Sequence, residues 1–94
     1  MKTIKGITKR QTINALKKYV TEDSGEYICK FLWYELVSTP MSEISDFVEF
    51  WVKKFYGEDM YNNYCTGFFG VRYVEDYYLT RKAFVTLLIH ELEK

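Results

Sequence analysis

Apolar residues along this chain recur at helical rather than strand spacing. The clearest run is Ile44, Phe47, Val48, Trp51, Val52 and Phe55, whose offsets of 3, 4, 7, 8 and 11 trace one face of an α-helix. Pro40 precedes the run and Gly57 follows it, so a helix is predicted to start just after the proline and to be capped at the glycine. A second stripe, Ile28, Phe31, Leu32 and Leu36, predicts a helix over 25–37, with Asp23 or Ser24 as its cap. Cys29 and Trp33 flank that stripe, which suggests burial on more than one side. Upstream, Thr8-Lys9-Arg10-Gln11 has the S/T-x-x-E/Q form of a capping box and opens a helix over 9–20, with Ile13, Leu16 and Val20 as its apolar side. The final helix, over 75–93, is expected to bury Tyr77, Phe84, Val85, Leu88 and Leu92, with Ile89 beside them. Residues 57–73 lack a period and read as an irregular aromatic loop. The expected architecture is all-α: a small antiparallel bundle of about four helices in a single domain, with residues 1–7 as a flexible basic arm.

Composition changes this picture in two ways. Aromatic residues make up 19% of the 94 positions, nine Tyr, seven Phe and two Trp, which exceeds what so small a core needs. Some are therefore expected on the surface, where Tyr and Trp suit contact patches; the candidates off the core stripes are Tyr34, Phe50, Tyr56, Tyr61, Phe69, Tyr73 and Tyr78. The formal net charge of zero also hides an asymmetry. Residues 1–18 carry six bases (Lys2, Lys5, Lys9, Arg10, Lys17, Lys18) and no acid, leaving an acidic remainder. At helical spacing Arg10, Asn14, Lys17 and Lys18 share a face. Two readings are open: this face docks on the acidic remainder, or it meets an external acidic partner.

The chemistry-bearing residues do not assemble into a known constellation. His90 is the single histidine, and it lacks the second histidine of a zincin helix. Cys29 and Cys65 have neither CxxC nor Cys/His spacing, and no base is placed to activate Cys65 as a nucleophile. Glu22-Asp23, Glu58-Asp59 and Glu75-Asp76 fall near predicted helix starts, where the helix dipole favours negative charge. Gly67 and Gly70 stand among neighbours too bulky for a phosphate loop. No catalytic residue, metal or cofactor is expected, and the chain reads as a non-enzyme. With no apolar run approaching a bilayer span and no leader pattern, a cytoplasmic protein without membrane contact is expected.

The segments YICKFLWYEL (Tyr27 to Leu36) and RKAFVTLLIHEL (Arg81 to Leu92), joined through an aromatic loop, resemble the small helical accessory proteins of phages and mobile elements. A residue usage tilted to AT-rich codons, 38 Phe, Tyr, Met, Ile, Asn and Lys against 11 Gly, Ala, Arg and Pro, agrees with such a source. The resemblance implies stoichiometric binding to a host or defence protein in the host cytoplasm, as an inhibitor or adaptor, and it transfers no functional residue. The partner-binding candidates come from the residues themselves: Arg10, Asn14, Lys17 and Lys18, with Phe50, Tyr56, Tyr61, Tyr64, Phe69 and Tyr73. The alternative is sequestration of a nucleotide, or nucleic-acid binding, through the basic helix and exposed aromatics. A pI near 6.6 speaks against a dedicated nucleic-acid domain. The aromatic surplus also suits a homo-oligomer.

Overall fold

The computed structural model describes residues 2–22, 26–58 and 78–94. Among them lie four helices and no strand: α1 (Lys9–Glu22), α2 (Ile28–Glu35), α3 (Met41–Tyr56) and α4 (Tyr78–Leu92). The chain is an all-α bundle in which α1 packs on both α2 and α4, and α2 packs on α3. The start of α1 is the predicted capping box. Gln11 N–H donates to Thr8 Oγ1 at 3.0 Å and Thr8 N–H donates to Gln11 Oε1 at 2.9 Å, so each side chain satisfies a backbone donor that the first turn would leave open.

The core follows the helical stripes. On α3, Ile44, Phe47, Val48, Trp51 and Val52 are all buried, and on α4 so are Phe84, Val85, Leu88 and Leu92. Phe55 closes the α3–α4 seam, its ring centroid 5.5 Å from Trp51 and 6.0 Å from Phe84. On α1 the buried side is rotated from the expected one. Thr12, Ala15, Leu16 and Tyr19 face inward, while Ile13 and Val20 pack at the edge of the core. Tyr19 sets this rotation, because its ring meets Phe31 edge-on at 5.1 Å and its hydroxyl donates to the Glu26 carbonyl at 2.8 Å. A phenol that is buried and still hydrogen-bonded can displace an aliphatic residue from the centre of a face.

Helix α2 begins later than the sequence pattern predicts, at Ile28, with Tyr27 as its N-cap in extended conformation and no side-chain cap bond. Glu26 is tied down instead. Its carbonyl accepts from Tyr19 and, at 3.3 Å, from Arg81 Nη1, and its carboxylate accepts from Tyr27 N–H. These long-range bonds, rather than a local cap, set where the helix starts; Asp23 and Ser24, the expected caps, lie outside the described residues. The helix is also buried on one side only: Ile28, Cys29, Phe31 and Leu32 are inside, whereas Trp33 and Tyr34 are not.

Residues 2–7, expected as a basic arm, lie against the core. Ile4 is 1% exposed, and the Lys2 carbonyl accepts from Trp51 Nε1 at 3.2 Å. At the other end of α3 the backbone closes as predicted, with Gly57 N–H donating to the Lys53 carbonyl at 2.8 Å. Gly57 has φ 92° and ψ 161°, a region that residues with a Cβ avoid. An added Cβ there would meet nothing within 4 Å, so substitution costs backbone energy alone. Gly57→Ala is expected to destabilise the chain by about 1–3 kcal/mol, read as a lower urea midpoint with an unchanged m-value.

Candidate functional site

The basic residues of α1 form an exposed face, as their spacing requires, and the bundle supplies acids to part of it. Lys17 Nζ lies 2.8 Å from Glu93 of the α4 end, and Lys18 Nζ lies 3.0 Å from Glu35 of α2 and 3.6 Å from Glu22. Docking of the basic segment on its own acidic remainder is thus realised for two lysines. The hydrogen bond to Glu35 holds the Lys18 pKa above the ordinary lysine range. The pair is therefore intact at neutral pH and loosens only as pH rises through that raised value. The Lys17 pair is exposed and the Lys18–Glu35 pair largely so, where such bridges contribute little. Lys9 and Arg10 have no acidic partner among the described residues.

Two open grooves flank α1. One, of about 420 Å³, is lined by Lys9, Arg10, Ile13, Asn14 and Lys17 with Leu92 and Glu93 from the end of α4. The other, of about 440 Å³, runs between α1 and the end of α2, where Ile7, Asn14 and Ala15 face Leu36 and Val37 under the Lys18–Glu35 pair. Asn14 touches both. Lys9 and Arg10 occupy the first turn of α1, where no acid is present and the helix dipole disfavours cations. Arg10→Glu is accordingly expected to raise stability by about 0.3–1 kcal/mol at low salt, seen as a higher melting temperature.

The aromatic candidates separate. Phe50 is exposed, at 42%, and lines a depression with Lys53, Lys54 and Glu58. Tyr56, expected to face outward, is instead half-buried: it packs on the core edge with its ring 6.3 Å from Phe84. The reason is that α3 and α4 converge at Phe55, and the neighbouring ring is drawn into the seam. Tyr61, Tyr64, Phe69 and Tyr73, like Cys65 and most of the expected aromatic loop, lie outside the described residues, as does the side chain of Tyr78.

Tyr34 faces outward as expected, and what the sequence pattern missed is that Trp33 on α2 and Val37 just beyond it are exposed with it. Trp33 is 44% exposed, Tyr34 60% and Val37 78%, and the Trp33 and Tyr34 rings lie 5.6 Å apart at 33°. Tyr27, the extended N-cap residue of α2, is also exposed. Tyr34 falls off the Ile28, Phe31, Leu32, Leu36 stripe, whereas Trp33 flanks it and was expected inside. An eight-residue helix that is apolar nearly all round gives no contrast by which to decide which side faces water.

His90 is exposed on α4, and among the described residues no three His, Cys, Asp or Glu side chains converge as metal ligands. No helix among them is long and apolar enough to cross a membrane. Comparison with protein-family models, curated proteins and solved structures gives no match.

Proposed function

We propose that this chain is a non-enzymatic binding module that acts by stoichiometric engagement of a protein partner, as an inhibitor or adaptor of the kind that phages and mobile elements direct against host or defence components. The observation that carries the reading is the exposed Trp33–Tyr34–Val37 patch, whose Val37 lines one groove with Asn14 and Lys18 of the basic face. Trp, Tyr and Arg are the residues that dominate binding energy at protein interfaces, and here they stand on rigid helices that lose little entropy on docking. The site then comprises Arg10, Asn14, Lys17 and Lys18 with Trp33, Tyr34 and Val37, and Phe50 lies on α3.

Nucleic-acid or nucleotide binding is less well supported. Lys17 and Lys18 already have carboxylates within 3.0 Å, which leaves this face few open cations for the many charges of a polyanion. The test is quantitative capture: immobilised chain, host lysate, and native mass spectrometry of the eluate at low and moderate salt. A single protein retained at stoichiometric yield is expected; retention of none, or of nucleotide or nucleic acid instead, overturns the reading.

A further inference from the structure

We infer that the groove between α1 and the end of α4 receives an acidic, amphipathic segment of the protein partner, an inference that rests on reading the chain as a protein-binding module. The groove is built in two layers of chemistry. The half-buried Ile13 gives it an apolar floor, with the buried Leu92 behind it, and Lys9, Arg10 and Lys17 rim it with cations. Two of those cations, Lys9 and Arg10, have no acidic partner among the described residues. The third, Lys17, is held by Glu93 across the groove, with both side chains about half exposed. An arriving carboxylate can therefore take Glu93's place on Lys17 while exposed water, not buried structure, is displaced.

The same arrangement selects against a polyanion. Lys9 to Lys17 spans about 12 Å of helix axis, over which a duplex presents several phosphates at roughly one charge per 1.7 Å. The groove offers three cations to meet them and sets Glu93 among them, and Glu22 and Glu35 lie beyond, around Lys18. A phosphodiester also has nothing to place on Ile13. A peptide with a leucine or isoleucine between carboxylates matches both layers.

The experiment uses the full chain, isotopically labelled for amide NMR. The probe is a short blocked peptide with leucines every third or fourth residue and glutamates between them; controls are the same peptide with glutamine for glutamate and an oligothymidylate of similar length. The glutamate peptide is expected to shift Ile13, Asn14, Lys17 and Leu92, and to bind less tightly as salt rises. Two variants move the affinity in opposite directions without harming the fold. Arg10→Glu weakens it about tenfold or more, although the protein melts no lower; Glu93→Gln, which releases Lys17, strengthens it by about two- to fivefold. The inference is overturned if the glutamine peptide binds as well, if the oligonucleotide occupies the groove more tightly, or if the groove is filled by a second copy of the chain on concentration. It is overturned alone, leaving the protein-binding reading intact, if the peptide leaves the groove unshifted while substitutions at Trp33 and Tyr34 still abolish partner capture.

Discussion

Trp51→Ala is expected to remove most of the stability of this protein. Trp51 is 2% exposed at the centre of α3, in contact with the rings of Phe50 and Phe55, and Lys54 Nζ sits 5.9 Å from its ring centre. Truncating a buried tryptophan costs about 3–5 kcal/mol in transfer and cavity terms. A chain of this length holds on the order of 5–14 kcal/mol in total. The indole also holds residues 2–7 to the bundle, because its N–H donates to the Lys2 carbonyl. Losing it leaves Ile4 and Ile7 to seat that segment by packing alone. Trp51→Phe keeps most of the ring and loses the hydrogen bond, so its deficit is expected to be well below that of alanine. Urea titrations followed by far-ultraviolet circular dichroism give both values. Equal deficits would show that the hydrogen bond, and not the volume of the ring, dominates at this position.

The second large effect is on binding. Replacing Trp33 and Tyr34 together by alanine is expected to abolish stoichiometric capture of the partner while leaving the urea midpoint nearly where it was. The separation follows from exposure. About half of each side chain already meets water, so truncation removes little buried surface from the folded state. In a complex the same two rings would be desolvated, and truncation at such anchors costs about 2 kcal/mol or more each, upwards of thirtyfold in affinity. Loss of stability comparable to that of Trp51→Ala would mean that the patch belongs to the fold rather than to an interface. Unchanged capture would move the partner's footprint elsewhere.

Trp33 and Trp51 show why one half of the molecule was easier to read than the other. Trp51 sits on a sixteen-residue helix with acids and lysines on its outer side, so the period of the apolar positions identifies the buried face without any knowledge of neighbours. Trp33 sits on eight residues that are nearly all apolar, and only the packing of Ile28, Phe31 and Leu32 against α1 and α3 decides that Trp33 joins Tyr34 outside. Tyr56 errs in the opposite direction, drawn inward by a seam with α4 that no local pattern describes.

By itself the sequence determined the features whose physics is local. These are the all-α class, the Thr8–Gln11 capping box, the Gly57 terminus, the buried stripes of α3 and α4, and the common face of Arg10, Asn14, Lys17 and Lys18. Each depends on backbone hydrogen bonding and side-chain period within a few turns of helix. Only the tertiary structure decided the features that need two distant segments to meet: the rotation of α1 onto Tyr19, the start of α2 at a carbonyl held from α1 and α4, and the division of the basic face. Lys17 and Lys18 are partnered because Glu93 and Glu35 are brought beside them, whereas Lys9 and Arg10 remain open to an incoming acid. That last distinction rests on which helix ends lie next to α1, a relation between residues as many as 76 positions apart in the chain.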